Sequence, residues 1–493
     1  TVDQHNGFNA IHADGTNDQI TLSSAGGSMV INAIASIENY LLGGILNDIN
    51  TFYVNADNSS VSIAGGASND SIIVNDLSVD GSYSLGDGDD SIQFGSSILI
   101  GLAGAISAGE GSDTITLASG TDSVAISDTD FDRLTGLEIL NLTGTGAQAI
   151  VLADIANSVF ANGITVTTNL SAISLNLDAS SGFSNAVAVI GTSGNDVIKG
   201  GSADDSLYSG SANDTITGGL GCDSIYAGDG VDIIIADDLD VVDGGEGIDS
   251  VRFASSVSSS NLLDASLVNV ENVVITSSLA DSYDFSKQTE ALSIAGGNAN
   301  DGIIGGSGSD TIGGGQGNDT LNGSGGNDTI TGGQGNDNLD GGIGDDTLTG
   351  EAGNDTILGG DGNDIITGGA GIDALTGGNG SDIFSFLTAD INTKAGIVTD
   401  IIIGFDISVD KLTGSFGSGS SNNVSFAIST SASLGSLLSS ADNALNGTIK
   451  YYFGQFGNDG YLVSDSNGTG YTDVIKLEGL ALTDVNSSTN WII

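Results

Sequence analysis

Proline is absent from this chain of 493 residues, and cysteine, methionine and tryptophan occur once each. One cysteine, Cys222, excludes an intramolecular disulfide framework. With only two histidines, His5 and His12, the chain cannot supply a tetrahedral zinc site of the usual kind. Lys and Arg number 8 against 63 Asp and Glu, a formal charge of -55, so a nucleic-acid or anionic-membrane partner is repelled. No run of about 18 apolar residues is present, which excludes a transmembrane segment of helical type. No N-terminal stretch joins a basic segment to an apolar run, so a conventional signal peptide is read as absent or already removed.

Glycine is plentiful, at 78 residues, and hydrophobic residues make up 39%, enough for a core. A compact fold carrying this charge has to gather carboxylates, and gathered carboxylates need cations. With nitrogen and sulfur ligands so scarce, the composition points to oxygen donors and a hard cation, calcium.

From Gly296 the sequence falls into ten nine-residue units, GGNANDGII, GGSGSDTIG, GGQGNDTLN, GSGGNDTIT, GGQGNDNLD, GGIGDDTLT, GEAGNDTIL, GGDGNDIIT, GGAGIDALT and GGNGSDIFS. They place Asp301, Asp310, Asp319, Asp328, Asp337, Asp346, Asp355, Asp364, Asp373 and Asp382 nine residues apart. Two positions after each Asp sits one apolar residue, from Ile303 through Leu339 to Phe384. Each unit therefore reads as a glycine turn and a three-residue strand with one inward position. A single unit cannot bury its apolar residue, but stacked units can, which is the signal of a solenoid.

A second run carries Asp196, Asp205, Asp214, Asp223 and Asp232 at the same spacing, followed by Asp249 in GGEGIDSVR, one position short of two full units further on. Isolated units appear as GGASNDSII (Asp70), LGDGDDSIQ (Asp90) and AGEGSDTIT (Asp113), with a weaker one at Asp18. Glycine permits the tight turn and Asp supplies a charged oxygen, so these aspartates are the candidate metal ligands. At Ser324, Glu351, Ala203 and Ala212 a turn glycine is replaced, which weakens the neighbouring candidates.

These nonapeptides resemble the repeats-in-toxin (RTX) family, whose GGxGxDxUx units wind into a parallel β-roll. The resemblance covers residues 191 to 249 and 296 to 384, roughly a third of the chain. It implies two units per coil, with Ca2+ between turns that lie two units apart. By that count the long run holds up to roughly eight ions and the short run about three, ten or more in all. It also implies export by a type I secretion system that reads an uncleaved C-terminal signal, and folding outside the cell where calcium is plentiful.

The expected fold is all-β, a parallel β-roll or β-helix solenoid with a small C-terminal β cap. Five segments are expected: an irregular β-helix or β-sandwich-like region at 1–190, a first calcium β-roll at 191–253, a connecting β module at 254–295, a second β-roll at 296–384, and a cap with the secretion-signal region at 385–493. Segments around Glu38, Glu138 and Glu271 share a turn, an apolar residue, a Glu and a strand. These glutamates read as satisfied ladder positions in preference to ligands. Ile164–Thr167 and Ile173–Leu177 suggest coils wider than the two-unit coil of the roll. Near the C-terminus, Tyr461-Leu462-Val463 and Val474-Ile475-Lys476-Leu477 read as a hairpin around Asp465, Asn467 and Asp473, a further possible calcium loop.

No HExxH or GxSxG motif is present, and the 5% aromatic content is thin for a sugar-binding groove. The expectation is therefore a protein without catalytic activity: an extracellular structural protein of the bacterial cell surface, assembling with itself into a surface layer (S-layer) or filament. The rival expectations are an adhesin or matrix-binding stalk contacting cell-surface polysaccharide, and a secreted carbohydrate-active enzyme.

Overall fold

A computed structural model describes residues 19–23, 30–32, 39–43, 50–54, 61–67, 69–74, 81–95, 105–169, 171–253, 266–276, 279–280, 282–386, 400–406, 408–414, 436–437, 440–441, 451–464 and 473–480. Asp18, Glu38, Asp465 and Asn467 lie outside them. The chain divides into two units, Thr1–Asp249 and Ser250–Ile493. The fold is all-β, with parallel strands stacked coil upon coil and a C-terminal β cap. Among the described residues no helix is long and apolar enough to cross a membrane.

In the second unit, alternate nonapeptides feed opposite sheets. One sheet stacks Thr311–Gln316, Thr329–Gln334, Thr347–Ala352, Ile365–Ala370 and Ile383–Phe386; the other stacks Gly302–Ile304, Thr320–Asn322, Asn338–Ile343, Thr356–Asp361 and Ala374–Asn379. The register advances by two nonapeptides per coil, so Ile312, Ile330, Leu348, Ile366 and Phe384 form one buried column. Ile303, Leu321, Leu339, Ile357 and Leu375 form the other. Several strands run to six residues, longer than the three read from one unit. Pairing continues into the glycines of the next unit, as where Gly315 lies opposite Gly333.

The stack ends in the expected cap. Asp473–Glu478 pairs parallel with Ile401–Ile403 and antiparallel with Asp459–Ser464, which pairs antiparallel with Tyr451–Phe456. Leu462 faces Ile475 and Val463 faces Val474, as the hairpin reading requires. Leu437, Ala441, Tyr452, Tyr461 and Val463 form a small core there.

The first unit is also parallel in its described strand pairings, apart from one antiparallel bridge between Ala153 and Gly182, with wider coils before the repeats. Ile164–Thr168 and Leu175–Ser181 are strands of two different sheets, in agreement with the wide-coil reading. From Val187–Thr192 onward the coils tighten to the two-unit step, with Val189, Leu207 and Ile225 stacked in the core.

Three replaced glycines retain the left-handed backbone that the turn demands: Ala212 at φ 77°, Ser324 at 73° and Glu351 at 76°. A side chain there costs roughly 1–2 kcal/mol, partly offset in glycine by its looser unfolded chain. Glu351→Gly is expected to raise stability in calcium by about 1 kcal/mol, read from the denaturant midpoint. An unchanged or lowered midpoint would count against strain at this turn.

Candidate metal centres

The candidate aspartates of both repeat runs, together with Asp70, Asp90 and Asp113, are buried to between 0% and 3% exposure. Each carries the first residue of a strand, or immediately precedes one, so its side chain turns under the preceding glycine turn. In the second unit they form two files. The N–H of Asp301 donates to Oδ1 of Asp319, and the same bond links Asp319 to Asp337, Asp337 to Asp355 and Asp355 to Asp373, each at 2.8 Å. The second file runs from Asp310 through Asp328, Asp346 and Asp364 to Asp382, at 2.7–3.1 Å. In the first unit Asp196, Asp214, Asp232 and Asp249 make one file, and Asp205 and Asp223 belong to the other. Pairs two units apart are thus brought together as the resemblance implies, and the file holds through Asp328 and Asp355 beside Ser324 and Glu351.

Sequence reading missed the carboxylates that close these files. Asp240 accepts the N–H of Asp223, Asp400 that of Asp373 and Asp410 that of Asp382, at 2.9, 3.0 and 3.1 Å. None lies in a glycine turn, and the steps are 17, 27 and 28 residues. The signal they share with the repeats is an acid followed two residues later by a buried apolar side chain: Val242, Ile402 and Leu412. Glu138 fits the same pattern before Leu140, and its Oε2 accepts the Asp113 N–H at 2.9 Å, the ladder role read for it.

The second carboxylate oxygen separates the members of a file. At the start of each run Oδ2 accepts an N–H of its own turn: Gly66 for Asp70, Thr192 for Asp196, Gly201 for Asp205, Gly297 for Asp301 and Gly306 for Asp310, at 2.7–3.2 Å. Further along, Oδ2 of Asp214, Asp223, Asp232, Asp319, Asp328, Asp337, Asp346, Asp355, Asp364 and Asp382 is buried without a hydrogen-bond donor. Leaving a carboxylate oxygen so placed is costly, and the cost recurs once per step between turns.

The glycines shape the space around that oxygen. A methyl on Gly314, Gly332 or Gly350, the first residue of its unit, would collide with Oδ2 of Asp319, Asp337 or Asp355. At Gly335 and Gly353, with φ 134° and 147°, it would strike the carbonyl oxygen of Gly317 or Gly335 one coil earlier. Those carbonyls therefore point along the file toward the next turn. Among the described residues no three His, Cys, Asp or Glu side chains cluster so as to hold a metal by themselves. The carboxylates come in single file, and backbone carbonyls are the remaining donors. An all-oxygen set of one unpartnered carboxylate oxygen and directed carbonyls per step suits calcium.

Burial, the largest cause, pushes Asp214, Asp223, Asp328 and Asp355 up to about 7 from the ordinary 3.8, and Asp319 and Asp364 up to about 6. The ladder N–H opposes the shift in each, and the carboxylates of adjacent coils add to it. Stacked ions of one sign in a dry file resist ionisation unless a cation lies among them.

An outer file with the opposite polarity runs beside the aspartates. Asn318, Asn336 and Asn354 each donate a backbone N–H to the side-chain oxygen of the preceding coil's Asn300, Asn318 or Asn336. Cys222 occupies this exposed position in the first run, its N–H donating to Oδ1 of Asp204.

The fold and these files define a calcium-type β-solenoid. A family model described as the RTX calcium-binding nonapeptide repeat (4 copies) matches residues 190–224, 208–239, 293–321, 313–348, 322–357 and 358–386. Both runs consist of RTX calcium-binding nonapeptide repeats. Among solved structures the chain is similar to the solution structure of the AlgE6R3 subunit from the Azotobacter vinelandii mannuronan C5-epimerase, at 29% identity over 33% of this chain and 80% of that one, with a TM-score of 0.25. A search of the curated proteins returned no match.

Proposed function

We propose that this chain is a calcium-folded structural protein of the bacterial cell surface, secreted and then assembling with copies of itself into a layer or filament. The observation that supports it most is the recurrence of one buried, unpartnered aspartate oxygen per step through both runs. Calcium between successive turns would be held by Asp Oδ2 and the carbonyls of the turn glycines, with about eight ions in the long run. Without it the charge of -55 opposes compaction. The same surplus of carboxylates leaves the surface in need of bridging cations, which favours assembly between copies. The chain acts as scaffold, with no catalytic role.

The test is a calcium titration of chelator-treated protein followed by circular dichroism and by light scattering or electron microscopy. β-structure that grows with calcium, followed by ordered assemblies, is the expected result. Folding that stops at a monomer able to bind cells or glycans would favour an adhesin stalk. Full β-structure in chelator at about pH 8, where the file carboxylates are ionised, would overturn the reading.

A further inference from the structure

Residues 61–117 lie outside the segments matched by the repeat family, and their turns follow one another at 20 and 23 residues where the repeats use 18. The files nevertheless have the same construction. The N–H of Asp70 donates to Oδ1 of Asp90 at 2.6 Å, and that of Asp90 to Oδ1 of Asp113 at 2.8 Å. Asp70 opens the file as Asp301 and Asp310 do, with Oδ2 on the N–H of its own turn. Oδ2 of Asp90 and of Asp113 is buried without a donor, in side chains 2% and 0% exposed.

The glycines repeat the pattern as well. Gly86 and Gly109 have φ 111° and 116°, and a methyl on them would strike the carbonyl oxygens of Gly66 and Gly86. A methyl on Gly111, at φ 143°, would strike that of Gly88. Coil length does not enter, because the strands after each turn stay in register: Ser71 lies opposite Ser91, and Ser91 opposite Thr114. The first Lys or Arg of the chain is Arg133, so residues 61–117 contribute no side-chain cation of their own.

We infer that the Asp70–Asp90 and Asp90–Asp113 steps form two further calcium sites, outside the tandem repeats and on wider coils. Oδ2 of Asp90 and Oδ2 of Asp113 each supply the charged ligand, and the carbonyls of Gly66, Gly86 and Gly88 line the turns. Glu138 closes the file as a half-buried acceptor for the Asp113 N–H. The inference rests on the reading of the repeats as calcium sites, and its test separates the two.

Calcium bound per chain is measured by equilibrium dialysis and elemental analysis for the full chain, for Asp90→Asn with Asp113→Asn, and for Asp337→Asn with Asp355→Asn. Asparagine keeps the ladder acceptor and removes the charge. The first double variant should lose two ions, and the second should lose ions from the repeats alone. In parallel, amide exchange of the unaltered chain should slow on adding calcium at residues 81–117 as well as at 320–382. A first double variant binding as much calcium as the unaltered chain would overturn the inference, as would exchange at 81–117 indifferent to calcium while 320–382 responds. Indifference of both segments would overturn the repeat reading too. If the variant fails to fold, exchange in the unaltered chain decides.

Discussion

Replacing Asp337 and Asp355 together with Ala raises the calcium concentration needed for half-maximal folding on the order of tenfold or more, while Gln316→Ala with Gln334→Ala leaves it unchanged. The two aspartates are consecutive members of one file. Their loss removes both buried, donor-free Oδ2 atoms and the acceptors for the N–H groups of Asp319 and Asp337. A calcium site deprived of a charged ligand loses more than the roughly 1.4 kcal/mol that corresponds to a factor of ten. Gln334 sits in the turn of Asp337 and Gln316 in that of Asp319, the preceding member of the file, both with exposed side chains, so they control for general damage to these turns. Because the midpoint is read as a calcium concentration, a merely structural loss separates from a ligand loss: it shows in saturating calcium as well. Equal shifts from both pairs would show that the turn's ligand position is not the aspartate.

The second large effect is a reversal of pH dependence on removing calcium. In the ion-free fold Asp214, Asp223, Asp328 and Asp355 are held up to about 7, and Asp319 and Asp364 to about 6, against 3.8 ordinarily. Between these values the folded chain holds more protons than the unfolded one, so stability falls as pH rises. The contribution is fully present below 3.8 and lost as pH passes through about 6 to 7. Chelator-treated protein should therefore gain β-structure as pH falls from about 8 to about 5. With calcium the sign inverts, because the ion requires the ionised carboxylate and protons compete for it below about 7. Circular dichroism across this range, with calcium and with chelator, checks both arms. A chelated protein whose β-signal rises with pH would contradict the placement of these carboxylates in a dry file.

The two effects share one physical origin. A parallel stack places equivalent residues directly over one another, so a side chain chosen once is repeated as a column. For Ile312 to Phe384 the column is a core, and repetition adds buried apolar area coil by coil. For Asp310 to Asp382 repetition adds like charge in a place that excludes water. The inner stack favours the folded coil at any calcium level. The aspartate file favours it only when protons or cations are present.

Much of this was legible along the chain. The nine-residue period, an Asp at its sixth position and an apolar residue two further on determine a stack of glycine turns and short strands with one inward apolar residue each, and the resemblance to RTX repeats implies a coil of two units with carboxylate pairs one coil apart. Scarcity of Cys, His, Lys and Arg determines that the donors are oxygen and that side-chain cations cannot balance them. Tertiary structure alone decided which carboxylates beyond the nonapeptides close the files of the repeat runs and which oxygen is left without a donor. Asp240, Asp400 and Asp410 carry no glycine turn and stand at irregular distances, yet each is brought under a backbone N–H by the strand that follows it. Asp301 and Asp319 are alike in sequence, but only Asp301 takes the N–H of its own turn on Oδ2, while Asp319 leaves that oxygen bare. A periodic sequence specifies what each coil contains, whereas a hydrogen bond between coils depends on which backbone group is stacked beneath, and stacking exists only in three dimensions.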